Sequence, residues 1–317
     1  MRHYQMAVTA ACLLALAALM VGCGGGGAGG GPPGPTNAII FMHQSPGANR
    51  EVWMMLPNGA NPRPVAASAG RDHIQGTLSP DGRKLLYVEQ SQADNTSEMV
   101  VKDLHTGATT VLISDNSAVN DFAPAYSPDG TRIAYLDHRD NAIHVINANG
   151  IGDMRITAGA SERTPAWNAD GAKIAYEKNW QHGSVCVANA DGSDETVILA
   201  KNARYAYEQP RFLPDGRIIA TRYDLTLRTR DLVLANGDGS GLTLLTPDTP
   251  DTDEFYPSVC GANIIAYASN VAGVKDIWIA TLSGAALANP INLTATLGGD
   301  NWRPNCGIVD ASYFNLP

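Results

Sequence analysis

The hydrophobic and polar positions of this chain alternate in short runs. Examples are Lys84-Leu85-Leu86-Tyr87, Arg132-Ile133-Ala134-Tyr135, Lys173-Ile174-Ala175-Tyr176 and Arg217-Ile218-Ile219-Ala220. Runs this short, rich in branched and aromatic residues, predict half-buried strands and not amphipathic helices. A turn precedes each: Ser79-Pro80-Asp81-Gly82, Ser127-Pro128-Asp129-Gly130, Asn168-Ala169-Asp170-Gly171 and Leu213-Pro214-Asp215-Gly216. Asp-Gly reads as a two-residue hairpin turn, with glycine supplying φ > 0 at no steric cost. A second apolar run follows, such as Met99-Val100-Val101, Ser184-Val185-Cys186-Val187 or Asp276-Ile277-Trp278-Ile279, and it leads into a glycine. A short β-branched segment closes the unit, as in Val111-Leu112-Ile113 and Thr196-Val197-Ile198-Leu199. Upstream of the Asp-Gly turn stands a proline followed by an aromatic: Ala123-Pro124-Ala125-Tyr126, Thr164-Pro165-Ala166-Trp167, Gln209-Pro210-Arg211-Phe212.

The unit repeats. Phe41, Tyr87, Tyr135, Tyr176, Thr221 and Tyr267 occupy equivalent points, 46, 48, 41, 45 and 46 residues apart. Four strands in about 45 residues, joined by tight turns, is the signature of a propeller blade. A lone blade exposes two apolar faces, so blades must stack in a ring. The run Ala38-Ile39-Ile40-Phe41 reads as a second strand, and Asn301-Trp302-Arg303-Pro304-Asn305-Cys306 as a first strand. The two ends therefore share one blade. The expectation is an all-β, six-bladed propeller over 38–317, with the tail 308–317 adding a short strand or lying over the ring.

The Pro-x-aromatic-Ser-Pro-Asp-Gly-x-x-Ile-Ala-Tyr unit resembles the WD40-like PD40 repeat of TolB-type propellers, over residues 38–307. The resemblance is to the propeller alone, since the N-terminal α/β domain of TolB has no counterpart here. It implies a protein or peptide partner docking at the channel. PD40 propellers also resemble oligogalacturonate lyases, which implies a second reading: a carbohydrate-active enzyme with histidines and a metal in its channel, or a glycan-binding module.

Composition narrows the partners. The chain is 44% hydrophobic and only 17% charged, with 32 Gly and 19 Pro, which suits short strands and many turns. Its net charge of −9 disfavours nucleic acid and anionic headgroups, whose binding rests on Lys and Arg meeting phosphate. Residues 1–23 read as a signal peptide: Met1-Arg2-His3 is weakly basic, Ala7 to Val21 is apolar, and Met20-Val21-Gly22-Cys23 resembles a bacterial lipobox. Cys23 is the candidate lipidation site. The Gly- and Pro-rich tether 24–37 reads as disordered and would reach at most ~46–50 Å when extended. Gly24 after the Cys implies outer-membrane sorting in a Gram-negative envelope, facing the periplasm or the surface. The propeller would be a monomer that meets the membrane only through its anchor.

Within a blade, the tight Asp-Gly turns lie on one face and the longer second-to-third and blade-to-blade connections on the other. Long loops on a rigid scaffold usually carry binding. The starts of the first strands add Asp72 with His73, Asp121, Glu162, Tyr207 with Glu208, Asp253 with Glu254, and Asp300 with Asn301. These predict an acidic rim at the channel mouth, with His73, Asp121, Glu162, Glu208, Glu254 and Asp300 as binding candidates. The alternative is that these carboxylates cap turns between blades. Trp180, in a loop with Asn179, Gln181 and His182, is a candidate for stacking on a sugar or anchoring a peptide. Cys260 and Cys306 fall near the ends of first strands in neighbouring blades and form a candidate disulfide, if their Cα atoms come within ~4.4–6.8 Å. Cys186 would then be a buried thiol. No metal-ligand spacing, phosphate loop or nucleophile elbow is present, so no cofactor, metal or catalytic residue is expected. The tether enters before a second strand, which predicts that the membrane lies under the tight turns.

Overall fold

The structure, a computed structural model, describes residues 35–310 and 313–314, apart from 92, 94, 95, 116–121, 160, 180 and 181. The expected signal peptide with Cys23, most of the tether, Asp121 and Trp180 lie outside the described residues.

The described strands form six four-stranded antiparallel sheets. The first strands, nearest the axis, are β4 (Arg71–Leu78), β8 (Ala125–Tyr126), β12 (Arg163–Trp167), β16 (Tyr205–Phe212), β20 (Glu254–Val259) and β24 (Asp300–Asp310). Ring closure follows the expected one-plus-three pattern. β24 pairs with β1 (Pro35–Gln44), followed outward by β2 (Glu51–Met55) and β3 (Arg63–Ala66). The β1–β24 ladder runs from Gln44↔Asp300 to Pro35↔Asp310. β1 thus begins three residues before the expected Ala38, and the expected tail supplies strand as far as Asp310. Tyr313 and Phe314 pack against the seam between this closing blade and the next.

The alternation seen in the sequence serves two seams at once. In β5 (Lys84–Ser91), Leu85 and Tyr87 pack toward Ile40, Val52 and Met54 of the closing blade. Leu86 and Val88 pack the other way, with Met99, toward Ile133 and Tyr135 of the following blade. Ala134 and Leu136 then face Trp167, Ile174 and Tyr176 one blade further on. Second strands are therefore buried on both faces, not half-buried, because each blade is sandwiched between two others. Each fully buried large side chain stabilises the ring by roughly 1.5–3 kcal/mol.

The turn chemistry differs from the expected two-residue hairpin. The Gly82 amide donates to Ser79 O at 2.8 Å, and the Ser79 amide to Lys84 O at 2.9 Å. Of Asp81 and Gly82, only Gly82 has positive φ, at 70°. This is a four-residue loop built on a type I turn. Pro80, with φ locked near −65°, fits its second position, and Gly82 fits the left-handed residue that ends it. Asp81 Oδ1 accepts from Ser79 Oγ at 2.6 Å and from the Arg83 amide at 3.1 Å. The same net around Asp129 holds its carboxyl down at about 2, chiefly through Ser127 and Thr131. The motif is also a seam between blades. A Cβ on Gly130 would meet Pro80 Cδ at 3.3 Å, and one on Gly171 would meet Pro128 Cδ at 3.5 Å. Pro80 and Pro128 thus each lie against the next motif's glycine, whereas nothing stands within 4 Å of such a Cβ at Gly216. The closing blade lacks the motif, and there the backbone of Ile308 and Val309 takes the proline's place against Gly82, 2.7 Å from such a Cβ.

Candidate functional site in the central channel

One position per blade is strained. Gln75, Ala123, Thr164, Gln209, Tyr256 and Arg303 have φ of 59°, 43°, 51°, 55°, 52° and 53°. Left-handed backbone is costly for residues other than glycine, on the order of 1–3 kcal/mol each. Five of the six precede proline, which disfavours helical backbone there still further. The sixth precedes Gly76, where a Cβ would stand 2.5 Å from Val52 Cγ1 and 2.7 Å from Ile40 Cγ2, so nothing larger fits. The ladders explain the strain. Register shifts interrupt β4, β12, β16, β20 and β24 at these points, so each first strand bulges toward the axis. Two glutamines brace the ring across blades. Gln75 Oε1 accepts the Ala123 amide at 2.7 Å, and Gln209 Oε1 accepts the Tyr256 amide at 2.9 Å and Thr221 Oγ1 at 2.8 Å.

The bulges give the channel a waist. Its cavity of about 50 Å³ is lined by Gln75, Thr164, Arg211, Tyr256, Arg303 and Asn305, among others. Arg303 stacks its guanidinium on Tyr256, 4.7 Å from the ring centroid. Arg211 donates from Nη1 to Pro210 O at 2.8 Å. Burial, with Arg303 adding repulsion, pulls the Arg211 guanidinium down to about 10. Among the described residues no carboxylate pairs with Arg211. Gln75 Nε2 and Thr164 Oγ1 are buried without hydrogen-bond partners. Beyond the waist the channel widens into a funnel of about 290 Å³ walled by all six blades, with Pro80, Tyr126, Trp167, Phe212, Val259 and Ile308 on its wall. These residues lie toward the ends of first strands, so the funnel opens on the tight-turn face. The Cys260–Cys306 disulfide, with Cα atoms 5.1 Å apart, ties two of its walls together. The expectation of a channel mouth on the loop face is thus reversed for this cavity, because the inward bulges narrow the strands at mid-height and leave the wide end beside the Asp-Gly turns.

The expected acidic rim does not line this cavity. Glu162 is fully buried, and its Oε2 accepts from Thr157 Oγ1 and from the Gly159 amide at 3.1 Å, which holds a turn between blades. Glu208 is buried against His182 Nδ1 at 2.9 Å, and that imidazole stacks on Tyr223 with centroids 3.8 Å apart. Glu254 accepts from Ser269 Oγ at 3.1 Å, and burial pushes its carboxyl up to about 7. His73 is buried beside Ser68 Oγ at 2.9 Å, and burial lowers its proton affinity. Asp72 and Asp300 do share a loop-face cleft of about 560 Å³ with Trp302. Each is paired there, Asp72 with Arg50 at 2.8 Å and Asp300 with Lys275 at 3.3 Å. Three of these acids supply acceptors that backbone amides need, Glu162 to Gly159, Asp72 to Arg50 and Asp300 to Lys275, while Glu208 and Glu254 meet side chains.

The TolB β-propeller domain family, PD40, matches residues 36–305. The chain belongs to this family. No curated protein matches it by sequence. Among solved structures, TolB from Acinetobacter baumannii superposes with a TM-score of 0.70 at 16% identity, over 86% of this chain and 67% of that one. A chain of a nidogen/laminin complex gives a TM-score of 0.64 at 11% identity, over 86% and 98% respectively. An oligogalacturonate lyase from Vibrio parahaemolyticus gives 0.53 at 13% identity, over 80% and 78%. At these identities the likeness is one of fold.

On this member of the PD40 family, sequence reasoning missed Arg211, Tyr256 and Arg303. Their signal was present: each flanks the proline of a first strand, Pro210, Pro257 or Pro304, and is larger than the Ala or Thr found at the equivalent points of the blades at Pro124 and Pro165. One further cluster stands apart from the channel. Asp137, His144 and Asp153 bring potential ligand atoms within 4.8 Å of one another. Those atoms engage Arg139, Asp140 and Tyr135, and Tyr135 Oη donates to Asp153 at 2.8 Å. The cluster fits an ion-pair network. Cys186 is a buried thiol that burial pushes up to about 11, so it is unreactive at neutral pH.

Proposed function

We propose that this PD40 protein is a non-enzymatic, lipid-anchored component of a bacterial envelope whose channel receives a segment of a partner polypeptide. The observation that carries the reading is the funnel: one cavity walled by all six blades, where the rings of Tyr126, Trp167 and Phe212 alternate with Ser79, Ser127 and Ser258, next to a smaller cavity that holds Arg211 and Arg303. Such a shape suits a chain segment with apolar side chains. The lyase reading calls for histidines converging with cations, and the channel-lining residues provide Arg211 and Arg303 but no histidine. The glycan-binding reading rests on Trp180, which lies outside the described residues.

Pro35 pairs with Asp310 at the tight-turn end of β24, so residue 35 stands on the funnel face. With Cys23 lipidated, the anchor joins the propeller on the funnel face, which favours a membrane-proximal partner. The test is crosslinking capture from bacterial envelopes with the full-length protein. Phe212→Ala combined with Val259→Glu should lose a partner that Asp300→Ala retains. Loss with Asp300→Ala and retention with the funnel variant would move docking to the loop face. Cys23→Ser should abolish labelling by an alkynyl fatty acid and release the protein from the membrane fraction.

A further inference from the structure

The waist holds two cations, both half-buried. Arg211 and Arg303 line the same cavity of about 50 Å³ in a chain of net charge −9. Among the described residues Arg211 meets no acid, and it donates a hydrogen bond to Pro210 O. Burying a cation without a counter-charge costs several kcal/mol. Elsewhere this protein avoids that cost: Arg222 pairs with Asp231 at 2.7 Å, and Arg50 with Asp72 at 2.8 Å. The waist adds two further unmet groups, Gln75 Nε2 and Thr164 Oγ1. The Tyr256 ring stacks on one face of Arg303, 4.7 Å from the ring centroid, and fixes that guanidinium beside Arg211.

From this geometry we infer that the waist is a carboxylate-binding site, and that its ligand is the C-terminal carboxylate of a partner polypeptide entering through the funnel. The inference rests on the proposed peptide-binding function and deepens it. Three features select a chain terminus. The cavity at the waist, about 50 Å³, adjoins a funnel of about 290 Å³ and shares Arg211 and Asn305 with it, which suits a chain that enters from the tight-turn face and ends at the waist. Solvent space of ~10–15 Å³ accommodates one water, so the waist holds a carboxylate with a few waters and not a continuing backbone. The terminal group must be an anion, because an N-terminal ammonium would meet two guanidiniums. A planar carboxylate matches the guanidinium fork, which binds it through paired N–H donors. Arg211 retains its charge at neutral pH even after burial, since its affinity for protons falls only to about 10. The apolar wall formed by Tyr126, Trp167 and Phe212 favours apolar residues just before the terminus.

The probes are acetyl-Ala-Leu-Phe with a free carboxylate and the same peptide as its C-terminal amide, titrated calorimetrically against the full-length protein in detergent. The acid should bind about tenfold more tightly or better, as expected for a desolvated charge pair. Arg211→Gln and Arg303→Gln should each erase that preference while thermal unfolding stays cooperative. Arg211→Lys, which keeps the charge but loses the fork, should retain only part of it. Equal affinity for acid and amide overturns the carboxylate site. If the acid binds no better than acetate, the terminal-peptide assignment fails in favour of a small-anion site. Tighter binding of trigalacturonate than of the acid peptide would overturn it in favour of an acidic glycan. The proposed function is read separately: envelope capture that depends on Phe212 and Val259 but shows no acid preference sinks this inference and leaves that reading standing.

Discussion

The two ends of the central channel use charge in opposite ways. At the loop-face ends of the first strands, acids are dense and each has a partner, although Glu162 Oε1 and Glu254 Oε2 are buried without a hydrogen bond. Glu162 is fully buried under a turn, Glu208 is held by His182, and Asp72 and Asp300 are paired with Arg50 and Lys275. At the waist, charged groups are few. Among the described residues Arg211 has no acid, and two polar side chains beside it have no hydrogen-bond partner. Satisfied charge at a blade junction is architecture. Unsatisfied polarity on strained backbone is what a ligand can complete. The difference lies in the sign of the charge and in its pairing: carboxylates with cationic or hydrogen-bonding partners at one end, a guanidinium with no acid among the described residues at the other.

The largest expected effect bears on the funnel wall. Cys260 and Cys306 are 46 residues apart in sequence, and a crosslink of that span stabilises by about 4 kcal/mol in the chain-entropy account. Cys260→Ser with Cys306→Ser should lower stability to urea by about that amount and weaken peptide binding, because Cys306 lines the funnel. An unchanged unfolding midpoint would show that the closing ladder of β1 and β24 suffices alone. Next comes the loop-face end. Glu162→Ala strands Thr157 Oγ1 and the Gly159 amide and should cost about 2 kcal/mol, with peptide affinity unchanged. A loss of affinity without a loss of stability would restore the acidic rim as a binding surface.

The same contrasts separate what the amino-acid sequence makes legible from what it hides. The blade is legible because Leu85 to Val88 and Ile133 to Leu136 obey a period of two, and because Asp-Gly recurs at fixed offsets. The closure is legible because Ala38 to Phe41 lacks a preceding first strand. The turn type is not, since reading Asp-Gly alone ignores that Pro80 occupies the second turn position. Nor is the waist. A pre-proline residue gives no hint by itself that it bulges into a channel; that follows only when the shifted registers of β4, β12, β16, β20 and β24 converge on one axis. The structural partners of the rim acids are hidden for a related reason. Acids a few residues upstream of those bulges fall at blade junctions, and a one-dimensional pattern does not separate a junction from a mouth.

Two smaller effects sharpen the same contrast through pH and substitution. Burial raises the Glu254 carboxyl from an ordinary 4.5 to about 7, so the folded protein binds its proton more tightly than the unfolded chain does. The stability this contributes is fully present below pH 4.5 and is lost as pH rises to about 7. Glu254→Gln should therefore stabilise the protein at pH 8, on the order of 2 kcal/mol, and have almost no effect at about pH 4. Equal effects at both pH values would mean that Glu254 is not desolvated in the fold. Arg211→Gln carries the opposite expectation to Glu162→Ala. Removing a buried cation that has no counter-charge relieves desolvation, so stability should change by less than about 1 kcal/mol or rise slightly. The preference for a peptide acid over its amide should disappear at the same time. If Arg211→Gln instead unfolds the protein as readily as Glu162→Ala does, the guanidinium braces the ring through its bond to Pro210 O, and the two ends of the channel are built alike.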